Sequence, residues 1–150
     1  MLNKVRVPLI IVLCLYQVLS ASFVYLPPLM GIIFVLATLE AREEYFQKSL
    51  YFLLPYSVLI EAIHGFFIFS TAVVFIVFYS LYAKKLVLAL KLANLIFFVL
   101  VLITYLGTYC FSILLSYALN LHIMTFGDFY LYYIAVETVF CMIFLRDLVA

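Results

Sequence analysis

The chain has 150 residues, of which 71% are hydrophobic and 10% are charged, and its formal net charge is +1. Soluble domains are about half apolar, so this chain has too little polar surface to cover a globule in water. The composition therefore predicts an all-α polytopic membrane protein, and the sequence has no basic patch that would bind nucleic acid.

Residues 7–25 are predicted to form the first membrane span. The basic start, the apolar core and the small residues at 20–22 imitate a signal peptide, but the rest of the chain is equally apolar, so a retained span is expected. Pro27 and Pro28 end this span and open a short second segment, 28–39. The charged stretch 40–48 is expected to lie in water or at the lipid headgroups.

The apolar run 49–82 is too long for one span. As a single helix it would measure about 50 Å, whereas the hydrocarbon layer is about 30 Å thick. Glu61, His64 and Gly65 stand near its middle, and glycine readily adopts the positive φ of a tight reversal. The run is therefore predicted to break there into segments 49–62 and 66–82.

The remainder of the chain is predicted to hold two further spans. A tilted fifth span covers 86–119, a loop covers 120–128, and a last span covers 129–146. The aromatic residues of 126–133 fit an interfacial belt. The chain is thus expected to be a single integral membrane domain, 1–150, with about six transmembrane segments, some of them short.

The basic residues predict the orientation of these spans. With six spans, all eight basic side chains fall on one side of the membrane: Lys4, Arg6, Arg42, Lys48, Lys84, Lys85, Lys91 and Arg146. Lysine and arginine are enriched in cytoplasmic loops, so both termini are expected in the cytoplasm.

Glu61 and His64 are the first candidate site. They are spaced i, i+3 on one helical face, so they could pair as a proton or ligand site. In the favoured interpretation, Gly65 supplies a structural turn, and the two side chains only keep that end of the hairpin near water. Replacing Glu61 by Gln would then be nearly silent, because water already screens the charge.

Glu137 is the most deeply placed carboxylate, near the middle of the last span. Intramembrane carboxylates usually face a protein interior or a water-filled cavity. Two interpretations stay open: a functional role, or a structural role in which the side chain is hydrogen-bonded between helices.

The fifth span carries a stripe of small and polar residues at four-residue spacing: Thr104, Thr108, Ser112, Ser116 and Asn120. Such residues let helix backbones approach closely. The stripe predicts a helix-packing face, either inside the fold, which is favoured, or toward a partner.

Three cysteines, Cys14, Cys110 and Cys141, are scattered through apolar segments without a CxxC pair. This arrangement does not favour a disulfide framework or a zinc site. The sequence also lacks a catalytic serine–histidine–aspartate set and a phosphate-binding loop. Neither an enzyme nor a bound metal or cofactor is expected.

The layout resembles a known family, the rod-shape-determining membrane protein MreD of bacteria. The similar features are a first span with Gln17, Pro27 and Pro28 before a short second helix, a charged turn at 40–48, the segment "LIEAIHG" and a last span ending in "FLRDL". The chain departs from the family in having Glu61 where members commonly have aspartate.

The resemblance implies a non-enzymatic scaffold of the cell-elongation machinery in the bacterial cytoplasmic membrane. Its expected partners are the lipid bilayer and an MreC-like bitopic protein, with MreB, RodA and a transpeptidase of peptidoglycan synthesis nearby. The resemblance also implies a fold similar to the S-components of energy-coupling-factor transporters. The alternatives are a small-molecule-binding membrane subunit, with Glu61, His64 and Glu137 lining its pocket, or a proton-linked carrier.

Overall fold

The computed structural model describes residues 2–42, 46–89, 93–122 and 127–146. Over these residues the chain forms six α-helices and no strand, which confirms the expected all-helical class. The helices are α1 Leu2–Ser22, α2 Met30–Arg42, α3 Phe46–His64, α4 Ser70–Ala89, α5 Ala93–Ala118 and α6 Phe129–Phe144.

The short helix α2 lies at the centre of the bundle. It packs against α3, α4, α5 and α6, and its residues 30–35 are all buried. Phe34 packs edge-on against Phe75 of α4, with ring centroids 5.4 Å apart. Because α2 carries no charged side chain before Glu40, neighbouring helices can enclose it on every side.

Helix α1 lies at the edge of the bundle, where it packs against α3. Its outward side chains are large and apolar, and Val18 is 63% exposed. Its buried side includes the polar residues Gln17 and Ser20. Gln17 and Ser20 therefore face the protein, while apolar side chains such as Val18 face the surroundings.

The predicted break in the run 49–82 is confirmed. Helix α3 ends at His64, Gly65 has a φ of 77°, and α4 begins at Ser70. Leu29 and Phe69 also have positive φ values, 58° and 69°. Each lies immediately before a helix, Leu29 before α2 and Phe69 before α4. Helices α1, α3 and α5 all finish at one side of the bundle, which we call the reversal end.

The expected boundary between the fourth and fifth spans is wrong. Helix α4 continues through Lys84 and Lys85 to Ala89, and α5 begins at Ala93. Lysine is a good helix former, and no glycine or proline interrupts α4. Lys91, one of the eight basic residues, lies outside the described residues, as do 43–45 of the charged stretch and 123–126 of the last loop.

By length and composition, one described helix is able to cross a membrane. This stretch is Asn94–Ala118 in α5, and the whole helix is about 39 Å long at 1.5 Å per residue. The apolar stretches of the other five helices have 10–17 residues each.

Candidate functional site

The carboxylate of Glu61 binds the first turn of α4. Its Oε2 accepts a hydrogen bond from the Phe69 amide at 2.6 Å. Its Oε1 accepts from the Ser70 hydroxyl at 2.9 Å and from the Thr71 amide at 2.6 Å. The first N–H groups of a helix have no partner within the helix. At the start of α4, the Glu61 carboxylate at the end of α3 accepts their hydrogen bonds.

The expectation that water screens Glu61 is wrong, because its side chain is 0% exposed. The described contacts of the carboxylate come from the start of α4. His64 is half-buried, and its Nε2 has no hydrogen-bond partner within the described residues. Glu61 and His64 therefore lie at one reversal, as their i, i+3 spacing predicts. The Glu61 carboxylate, however, accepts its hydrogen bonds from backbone amides and a hydroxyl at the start of α4.

The carboxylate of Glu137 binds the first turn of α2 in the same way. Its Oε2 accepts hydrogen bonds from the Gly31 amide at 2.7 Å and the Ile32 amide at 3.2 Å. Its Oε1 accepts from the Tyr105 hydroxyl of α5. Glu137 is 0% exposed, so this one side chain links α2, α5 and α6 inside the protein.

The two capped helix starts share one local geometry. In both, a residue with positive φ precedes the helix, and its carbonyl accepts the first helical hydrogen bond. The Ile33 amide donates to the Leu29 oxygen at 3.1 Å, and the Val73 amide donates to the Phe69 oxygen at 3.0 Å. The second helical residue, Gly31 or Thr71, then donates to the carboxylate. A negative charge is also favoured at a helix N-terminus by the helix dipole.

Side chains from two helices, α1 and α6, hold the segment 24–28 before α2. The Gln17 amide donates to the Pro28 oxygen at 2.5 Å, and the Tyr16 hydroxyl donates to the Pro27 oxygen at 2.8 Å. The Tyr133 hydroxyl donates to the Val24 oxygen at 2.5 Å. Non-helical backbone needs such partners when it lies inside a protein, because its carbonyls otherwise remain unpaired.

The polar stripe of α5 divides into two parts. Thr104, Thr108, Ser112 and Ser116 are all buried inside the bundle. The Thr104 hydroxyl donates to the Leu100 oxygen and the Thr108 hydroxyl to the Thr104 oxygen, at 2.8 and 2.7 Å. The hydroxyls of Ser112 and Ser116 have no hydrogen-bond partner within the described residues.

Asn120 does not belong to the buried stripe, so the favoured expectation that it packs inside the fold is wrong. It follows the end of α5, is exposed, and has a φ of 52°. Asparagine tolerates the left-handed conformation better than most residues, which suits it to a turn after a helix. The packing face therefore comprises the four residues from Thr104 to Ser116.

The described residues do not include a group of three His, Cys, Asp or Glu side chains that could hold a metal ion. The chemistry that the two glutamates perform in this structure is hydrogen-bond acceptance at helix N-termini. The sequence pattern does not reveal the role of Tyr105, and it does not connect Gln17 with the Pro28 carbonyl. No local signal connects Glu137 with Gly31, because these residues are 106 positions apart.

Comparisons of the chain with protein-family models, with curated proteins and with solved structures found no match.

Proposed function

We propose that this protein is embedded in a lipid bilayer. The support is an inverted distribution of polarity: Gln17, Glu61 and Glu137 are fully buried, while large apolar side chains such as Leu131 and Ile143 are 67% and 65% exposed. In water, so much exposed apolar surface would favour aggregation. In a bilayer the same surface contacts lipid, and polar groups face the protein interior.

Exposed tyrosines at both ends of the bundle support the same proposal. Tyr25, Tyr117 and Tyr132 lie at the reversal end, and Tyr51 and Tyr82 lie toward the opposite end. Tyrosine is enriched at membrane–water interfaces, where its ring contacts lipid and its hydroxyl contacts water. With six membrane segments, the reversal end faces the exterior, and both termini and all the basic residues face the cytoplasm of a bacterial cell.

Within the membrane we propose a non-enzymatic scaffold in the cell-elongation machinery of rod-shaped bacteria. One observation carries this proposal: the two buried carboxylates, Glu61 and Glu137, are both engaged in capping helices. A binding subunit or proton-linked carrier that used these residues would have to release the start of α2 or α4. A scaffold needs them only to hold the bundle in one conformation.

The partner in this proposal is an MreC-like bitopic protein, with MreB, RodA and a transpeptidase of side-wall peptidoglycan synthesis in the same assembly. The family resemblance of the sequence supports this choice of partner. The exposed apolar faces of α1 and α6 provide surface for a membrane-spanning helix.

The proposal is tested by depleting the protein in the bacterium that encodes it. We expect rods to widen and round, and the affinity-tagged protein to recover the MreC-like protein in mild detergent. A tagged polytopic membrane protein of similar size is the control for non-specific recovery. Rods of normal width after depletion, together with no recovered MreC-like protein, would refute the role in cell elongation.

A further inference from the structure

Several outward-facing helices of the bundle are short compared with a bilayer. On α6, the exposed charged residues Asp128 and Arg146 are about 27 Å apart at 1.5 Å per residue. On α4, the distance from Ser70 to the first charged residue, Lys84, is about 21 Å along the helix. Because a lysine can reach the headgroups from slightly inside the hydrocarbon, the value for α4 is a lower limit. An average hydrocarbon layer is about 30 Å thick, and any tilt of a helix reduces the thickness that it covers.

Exposed tyrosines on α3 and α4 indicate a thin layer as well. Tyr51 on α3 is 79% exposed and Tyr82 on α4 is 47% exposed. Along the helices, Tyr51 lies about 20 Å from His64, and Tyr82 lies about 18 Å from Ser70. Tyrosine rings prefer the membrane–water interface. With these tyrosines at one interface and the reversal 65–69 at the other, α3 and α4 fit a layer thinner than the average.

Helix α5 is too long for such a layer. Its exposed apolar side chains extend from Leu95 to Tyr117, which is about 33 Å along the helix. Helices α4 and α5 are antiparallel and touch where a Cβ on Gly107 would lie 2.7 Å from Val74. From this contact, α4 continues about 6 Å toward the reversal end and α5 about 16 Å. Helix α5 therefore projects about 10 Å beyond the start of α4.

The residues at the helix ends decide which of these lengths the bilayer follows. A layer thick enough to cover all of α5 would draw the exposed Asp128 or Arg146 of α6 into hydrocarbon, where a charged group is costly. A thin layer would instead leave the last turns of α5 at the headgroups. Tyr117, which is 78% exposed on those turns, suits that position because its ring contacts lipid and its hydroxyl contacts water. The thin layer is therefore favoured.

We propose that α3, α4 and α6 fit a hydrocarbon layer of about 25 Å, so that the protein thins the bilayer around these helices and prefers phospholipids with short acyl chains. The partner of this surface is the lipid itself, which contacts exposed apolar side chains such as Val77 on α4 and Leu131 on α6. The inference rests on the proposed embedding in a bilayer, but not on the proposed role in cell elongation.

Reconstitution of the full-length protein in phosphatidylcholine vesicles tests this preference. The acyl chains are varied from about 14 to about 22 carbons, and the unfolding temperature is measured in each lipid. We expect it to be about 5–10 °C higher in the shortest lipid than in the longest, because mismatch in the longest lipid destabilises the bundle. A maximum in the longest lipids, or one temperature in all of them, would overturn the proposal. Protein that does not float with the vesicles would refute the embedding itself, and this proposal with it.

A variant with a longer apolar stretch on α4 should prefer a different lipid. Replacing both Lys84 and Lys85 by leucine extends this stretch to Ala89, about 28 Å from Ser70. We expect the temperature maximum of the Lys84→Leu, Lys85→Leu variant to move to longer acyl chains. The matched control, Lys84→Arg with Lys85→Arg, keeps the charges and should keep the maximum of the wild type. The same maximum for both variants would contradict a layer set by the apolar length of α4.

Discussion

At the scale of single residues, Glu61 and Glu137 have the same structural role in different surroundings. Each is a fully buried carboxylate that accepts hydrogen bonds from the start of another helix. The partner of Glu61 is the next helix in the chain, whereas Glu137 reaches back to α2. Because each carboxylate completes the first turn of a helix, a conservative substitution of Glu61 or Glu137 should first of all change the stability of the protein, and any activity only as a consequence.

We predict that Glu61→Gln destabilises the protein by about 1.5–3 kcal/mol, the range for hydrogen bonds to charged groups. The new amide would place an NH2 group against one of the donors that now face Glu61. The measurement is thermal or denaturant unfolding in detergent. Asp128→Asn is the matched control, because Asp128 is exposed and makes no capping hydrogen bond. Equal unfolding midpoints for the two variants would show that Glu61 does not stabilise α4.

We predict that Gly31→Ala also destabilises the protein, by about 1–3 kcal/mol, as in overpacked cores. The added Cβ would lie 2.6 Å from Glu137 Oε2 and 2.8 Å from Val101, so the carboxylate has to move from the α2 start. Gly127→Ala is the control, since its Cβ would meet Tyr130 at an ordinary 3.6 Å. The same unfolding assay checks both, and an unchanged midpoint for Gly31→Ala would contradict the close approach.

At the scale of elements, the buried stripe of α5 sets how closely this helix approaches its neighbours. Thr104, Thr108, Ser112 and Ser116 are small enough to bring the backbones together, as expected for helices in membranes. Their hydroxyls differ in partners, but all four side chains are enclosed by the bundle.

We predict that Thr108→Leu lowers both the amount of protein that accumulates and its unfolding temperature, because the larger side chain pushes α5 from the bundle. Cys110→Leu, two positions along the same helix but on its exposed side, should leave both quantities unchanged. Membrane levels by immunoblot and unfolding of the purified variants provide the measurements. Normal accumulation and stability of Thr108→Leu would show that α5 packing tolerates a bulky residue.

At the scale of the whole molecule, the proposed topology places both reversals, 23–29 and 65–69, on the exterior side. Both reversals contain positive-φ residues and are held by side chains of other helices. A non-helical segment inside a bilayer needs hydrogen-bond partners for its backbone N–H and C=O groups, and these side chains provide such partners.

We predict that single cysteines at positions 44 and 85 label from the cytoplasm and that one at position 125 labels from the exterior. The first two replace Glu44 and Lys85, and the third replaces Thr125, in a cysteine-free background. Lys85 is exposed in the structure, while Glu44 and Thr125 lie outside the described residues. Labelling of positions 44 and 85 from opposite sides would exclude the six-segment arrangement.

The sequence by itself determined the helical class, the number of helices and the break at Gly65. These features depend on local properties: the length of apolar runs, the placement of charges, and the freedom of glycine to adopt positive φ. The same reasoning is wrong at the end of α4, where the lysine pair predicts a turn although lysine readily continues a helix.

Only the tertiary structure decided what the polar residues inside the bundle do. Glu137 meets Gly31 and Tyr105, and Gln17 meets Pro28, because six helices pack in a register that no local pattern encodes. Asn120 lies outside the buried stripe for a different reason: α5 ends two residues earlier, at Ala118, so the helical spacing no longer applies. A hydrogen bond depends on two atoms meeting within about 3 Å, and for groups as distant in sequence as Gly31 and Glu137 the packing of the whole bundle sets that distance.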